Sequence, residues 1–188
     1  MMRPLTHATG NLRHVYCAAP TFEAFLNDAE ANRELWHAVT RRAVVSDKIA
    51  ARAKSLTDRW HLLVLAEDWC GDAVNTVPAI AELARIAPNL DLRVVGREAN
   101  ADIMDTHLTG QSRSIPVVLL LDADFVERAW WGPRPSALQE WVRSDGQGLS
   151  KEDRYREVRR WYARDRGVTA MTDVLDMIAR VRAERVAA

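Results

Sequence analysis

The run HLLVLA at 61–66 has no alternation of polar and apolar positions, and it leads straight into EDWCGDAVNTVPAIAELA. A strand of that kind has to be covered on both faces, because a half-solvated strand would show a period of two. From Cys70 the pattern changes to helical spacing for about fifteen residues, and LDLRVVGRE at 90–98 then supplies a second strand. A strand, a helix and a strand in immediate succession place the chain in the α/β class, with helices layered on a central sheet.

The flanking segments extend this plan. Thr21 is placed to cap a helix whose apolar residues Phe22, Phe25, Leu26, Leu35, Trp36 and Val39 carry it to about Val45, and a second helix is expected from Ser46 to about Leu56. A short helix from Asn100 to about Leu108 precedes the loop TGQSRS at 109–114. IPVVLLLDADFVERAWWG at 115–132 reads as two strands joined at Asp122-Ala123-Asp124, a hairpin signal, with Trp130 and Trp131 on opposite faces. Pro135 and Ser136 open a helix through Trp141, and SDGQGLS at 144–150 is expected to be a linker. Two charged helices follow, split near Gly167, with Val158, Trp161, Tyr162, Val174, Leu175, Ile178 and Val181 as their packing residues. The expected organisation is an N-terminal helical extension over 1–57, a core over 58–148 and a C-terminal helical extension over 149–188.

Composition narrows the functions. A chain of 188 residues with 48% hydrophobic and 28% charged residues can bury one sizeable core. Its 26 basic and 26 acidic residues cancel, and acids are interleaved with the arginines of the last two helices, so no nucleic-acid partner is expected. The first twenty residues lack a continuous apolar segment and no long apolar run occurs elsewhere, so no membrane association is expected and the protein is read as cytoplasmic. Only Cys17 and Cys70 are present, too few for a disulfide framework or a self-contained zinc or iron-sulfur site. Two free thiols, no metal ligand and no cofactor are expected; His61 and His107 are read as surface or strand-end residues.

WCGDA at 69–73 resembles the W-C-G-P-C active-site turn of thioredoxins, with Trp69, Cys70 and Gly71 in place. Pro78 stands where that family has the proline inside its active-site helix, SIP at 114–116 resembles the cis-proline loop facing the active cysteine, and Gly132 lies close to the family's spacing for a late glycine. EDWCGDA, RSIPVVLLLD and WGPR look more closely like a bacterial branch of thioredoxin-like proteins with a W-C-G-D-A motif, a single-cysteine variant of the active site. The resemblance covers about half the chain. It implies a thioredoxin fold, a central mixed sheet flanked by helices, here with an N-terminal helical extension and a C-terminal helical pair.

Two departures bear on chemistry. Ala73 stands at the position of the resolving cysteine, so the intramolecular disulfide of a dithiol oxidoreductase cannot form there. Val64 stands where the family buries the aspartate that handles the resolving thiol's proton. At a helix start, unpaired N–H groups favour the Cys70 thiolate, whereas Glu67, Asp68 and Asp72 oppose it. Asp72 also has an ordinary role as an acid in the first turn of a helix, and Asp68 is either a helix cap or a hydrogen-bonding group for a substrate thiol. The candidate catalytic residue is Cys70; the candidate substrate-binding residues are Trp69, Gly71, Asp72, Ile115, Pro116 and Trp131. The expected function is monothiol disulfide exchange or thiol-redox binding, with a protein or a low-molecular-weight thiol or disulfide as partner. The alternative is a non-catalytic module that binds a peptide or protein in the groove beside Pro116. A cluster-holding role like that of the monothiol glutaredoxins is disfavoured, because Asp72-Ala73 would set a negative charge beside an anionic cluster.

Overall fold

The apolar run forms β1 (Trp60–Leu65), buried at every position, in a computed structural model that describes residues 10–187. Residues 1–9, the start of the expected N-terminal helical extension, lie outside the described residues. β1 runs parallel to β2 (Leu90–Val95), with Trp60 opposite Leu90, and antiparallel to β3 (Val117–Leu121), with Val64 opposite Val118. β4 (Glu127–Trp131) pairs antiparallel with β3, giving the sheet order β2-β1-β3-β4. The hairpin turn reaches beyond Asp122-Ala123-Asp124 to Val126. Asp122 Oδ1 accepts the N–H groups of Asp124 and Val126, Arg128 pairs with Oδ2, and Phe125 adopts a left-handed φ of 62°.

Helix α1 (Arg13–Ala18) leads the chain in, and Tyr16 reaches the sheet by donating its hydroxyl to Asp91. The single helix expected from Thr21 to Val45 is two: α2 (Phe22–Asp28), with the Thr21 hydroxyl accepting the Ala24 N–H as expected of a cap, and α3 (Arg33–Arg42). The break has a tertiary cause. Asp68 Oδ2 accepts the N–H groups of Glu30 and Ala31 at 2.8 Å each, which takes those donors out of any helix, and Asn32 turns the chain at a φ of 54°. Helix α4 (Asp47–Lys54) follows from Ser46.

Helix α5 (Gly71–Ile86) begins beside Cys70 and is buried almost all round, through Ala73, Val74, Val77, Ile80 and Leu83 among others. It is wrapped by α3, α4, β2 and the last helix. The segment after β2 is a 3-10 turn (Glu98–Asn100) and α6 (Ala101–Asp105), which stops short of Leu108 because His107 turns inward. His107 is 2% exposed and bonds Glu127 at 2.7 Å through Nε2 and the Ile103 carbonyl through Nδ1. His61 is buried too, stacked on Phe125 and bonded to Asp91. Of the surface or strand-end placements expected, His61 has the second, at the start of β1, and neither residue is at the surface; each acquires a carboxylate partner distant in sequence.

Helix α7 (Ser136–Arg143) is followed at the expected linker by a 3-10 turn (Asp145–Gly148) held against Trp141. Helix α8 (Lys151–Asp165) and helix α9 (Val168–Ala187) pack differently from each other. Val174, Leu175, Ile178 and Val181 of α9 join the main core, whereas Val158 and Tyr162 of α8 form a small cluster with Leu138. Gly167 makes the turn between them at a φ of +80°, and a Cβ there would come within 2.2 Å of the Ala79 Cβ, so this corner lies directly on α5.

Candidate functional site

Cys70 is the residue at which the strand layer gives way to α5, and the backbone before it is clamped from the N-terminal side. The Asp68 carbonyl accepts the Trp36 indole N–H at 2.8 Å and the Asn32 side-chain amide at 3.2 Å, while the Asp68 carboxylate holds the 29–32 turn. Asp68 is therefore a clamp on the 29–32 turn through Oδ2 and makes no cap of α5. Glu67 is also engaged: Oε1 accepts the N–H of Arg97 at 2.7 Å and of Glu98 at 3.4 Å.

The Cys70 thiol is 7% exposed and donates to the Ile115 carbonyl at 3.4 Å. Burial pushes its pKa above the ordinary thiol range; the N–H groups of Ala73 and Asp72 and the charge of Arg134 pull the other way, and the Asp72 charge adds to the rise. Desolvation, which sequence cannot show, outweighs the acidic neighbours. Ala73 and Val64 are fully buried, so nothing beside the thiol can resolve a disulfide or take a proton through those positions.

Asp72 is the centre of a network that sequence reasoning missed. Arg134 reaches its carboxylate through Nη2 at 2.6 Å and Nε at 3.1 Å, and Tyr162 of α8 donates its hydroxyl to Oδ1 at 2.8 Å. The phenol is held protonated by burial and by the Asp72 charge. The acid in the first turn of α5 thus carries a bidentate counter-ion and ties α8 to the thiol's helix. The phrase WGPR held a trace of Arg134; Tyr162, ninety residues from its partner, left none.

The remaining expected residues separate into two groups. Ile115 and Pro116 face the thiol as buried residues, with the Ile115–Pro116 peptide cis, as is Gly132–Pro133. Gly132, at a φ of +134°, lies so close to this loop that a Cβ would stand 2.1 Å from the Pro116 carbonyl oxygen. Trp69 is 52% exposed, its ring 5.2 Å beneath the Arg97 guanidinium, and Gly71 borders open space. Trp131, expected near the thiol, is instead 4% exposed and donates its indole N–H to Asp173 of α9 at 3.0 Å, because residue 131 faces the helical layer. Both thiols are free, Cys17 exposed and Cys70 buried. Among the described residues no cluster of three or more histidine, cysteine, aspartate or glutamate side chains could hold a metal ion, and no helix is long and apolar enough to cross a membrane.

A family model described as thioredoxin matches residues 19–175. The chain belongs to the thioredoxin family. The matched span takes in α2 to α4 and α8, well outside the half of the chain that carried the sequence resemblance. No curated protein matches. Among solved structures, a protein of unknown function from Pseudomonas aeruginosa is similar with a TM-score of 0.74 at 22% identity, covering 91% of this chain and 98% of its own. An HIV epitope-scaffold is similar with a TM-score of 0.73 at 21% identity, covering 90% and 98%. At these identities the likeness bears on the fold alone, and it extends over the helical extensions of this thioredoxin-family chain.

Proposed function

We propose that this chain carries out thiol-disulfide exchange by a monothiol route through Cys70. The observation that carries the reading is the placement of a single sulfur at the start of α5, against the Ile115 carbonyl, with Ala73 and Val64 buried where a second thiol and its proton acceptor would be needed. Cys70 gives up its proton to solvent, the thiolate attacks one sulfur of a substrate disulfide, and the other sulfur leaves as a thiolate. An external thiol then attacks the mixed disulfide, releasing the substrate portion joined to it as a new disulfide and returning Cys70 to its reduced form. The donor atoms next to the thiol are backbone groups, and the groove beside Pro116 offers Ile115, Gly71 and the exposed Trp69 ring to an extended peptide or a small disulfide. Asp72 acts through Arg134 and Tyr162 rather than on the substrate.

Burial of the thiol and its raised pKa favour a second reading, in which the groove beside Pro116 binds a partner segment without turnover. The bacterial single-cysteine branch and a cytoplasmic site belong to this proposal as well. The test uses Cys17→Ser, because exposed Cys17 would otherwise compete for any reagent. Incubation with glutathione disulfide, followed by peptide mass mapping, is expected to give a glutathione adduct on Cys70 that dithiothreitol removes. A Cys70 that stays unmodified while the protein still captures a peptide would establish the binding-module reading instead.

A further inference from the structure

On the far side of α7 from the small α8 cluster, a cleft of about 430 Å³ runs between the 108–110 loop, the edge strand β4 and helices α7 and α9. We propose that this cleft binds a small ligand bearing a carboxylate or phosphate group. Two buried side-chain atoms without a hydrogen-bond partner, Thr109 Oγ1 and Arg180 Nε, belong to residues that line it. Glu184 Oε1 stands 3.9 Å from that Nε, beyond hydrogen-bond reach. A guanidinium Nε can only donate and a threonine hydroxyl can donate, so an acceptor in the cleft can satisfy each of them.

The charge of the cleft specifies which acceptor. Arg134, Arg143 and Arg180 line it with two carboxylates, Asp173 and Asp176; Arg134 is already paired with Asp72, and Arg180 has Glu184 at 3.9 Å. Asp176 already pairs with Arg52 at 2.6 Å, and Asp173 already accepts from the Trp131 indole and from the Ser136 N–H and hydroxyl. Arg143 has no ion pair among the described residues. Unpaired Arg143 and the donors without hydrogen-bond partners select an oxyanion over water, and a forked guanidinium matches its geometry. Half-buried Trp130 supplies an apolar wall, so the ligand carries an apolar body as well as the anionic head. The cleft borders the thiol site through Arg134, which holds Asp72, and through Gly132, which lies against the Pro116 loop.

The experiment measures the melting temperature and amide spectra of the full chain while inorganic phosphate and, separately, malonate are titrated in, with chloride keeping ionic strength constant. The expected result is a saturable rise in Tm with at least one of the two, shifts confined to the amides around Thr109, Gly110 and α7, and the same affinity in Cys70→Ser. Which anion saturates assigns the head group. Arg180→Gln and Thr109→Val should each weaken binding about tenfold or more, and exposed Arg143→Gln, which leaves the core intact, gives the same direction if Arg180→Gln fails to fold. Absence of saturation with both anions, or undiminished affinity in Arg143→Gln together with Thr109→Val, overturns the proposal.

Discussion

The Asp72–Arg134 pair is expected to set the ionisation of Cys70 through its balance of charge, and removing either partner should move the thiol in opposite directions. The pair is largely withdrawn from water, with the Asp72 side chain 16% and the Arg134 side chain 22% exposed, so its field is only partly screened. Asp72 raises the thiol pKa and Arg134 lowers it. Arg134→Gln leaves the carboxylate without its counter-ion, held by the Tyr162 hydroxyl alone. A unit charge about 6 Å from the sulfur, at an effective dielectric of about 40, is about 1.4 kcal/mol, or about one pKa unit. Arg134→Gln should therefore raise the Cys70 pKa, Asp72→Asn should lower it by more because the Asp72 charge acts on the thiol more strongly, and the double variant should fall below the parent. The assay is the alkylation rate of Cys70 against pH in a Cys17→Ser background, with thiolate absorbance as a second readout. The midpoint of the profile reports ionisation, whereas access to the buried sulfur changes only its plateau. An unchanged or lowered midpoint in Arg134→Gln would refute the reasoning.

Three other outcomes follow from the structure. Burial disfavours the charged form of His107, but the hydrogen bond and charge of Glu127 overcome it and raise its pKa, so its contribution to stability is fully present below the ordinary histidine pKa of about 6.5 and is lost as pH rises through the folded-state value; urea midpoints across pH 5.5 to 9 should fall in the parent and stay flatter in His107→Gln, and parallel curves would remove the assignment. Gly132→Ala combines a φ of +134° with a Cβ 2.1 Å from the Pro116 carbonyl oxygen, so a loss of about 2 kcal/mol or more is expected by denaturant unfolding, and a neutral result would show the loop to be free to move. Ala73→Cys should oxidise to an intramolecular disulfide, since side chains three apart in a first helical turn share a face, yet reduce insulin slowly because buried Val64 offers no proton acceptor; activity at the level of an ordinary dithiol thioredoxin would contradict that role for position 64.

Local patterns determined much of this protein. The unalternating run at 61–66 read as a strand covered on both faces, and the turn at Trp69-Cys70-Gly71, the Pro116 loop and Gly132 kept the spacing of the thioredoxin resemblance, so the fold class was legible from the order of elements and the position of the thiol from that resemblance. Tertiary structure decided what depends on partners far along the chain. The helix from Thr21 was broken by Asp68, thirty-eight residues from Glu30 in sequence, and His107 was drawn inside by Glu127. Trp131 could face either the groove or α9 until the register of β4 on β3 set its side of the sheet. Asp72, read from sequence as a first-turn acid of the helix and a charge opposing the thiolate, became one member of a network with Arg134 and Tyr162. Periodicity records which face of an element is apolar, because burial repeats with the backbone. It does not record which carboxylate meets which donor, because each such pairing is formed once, between elements, when packing brings them together and excludes the water that would otherwise serve both.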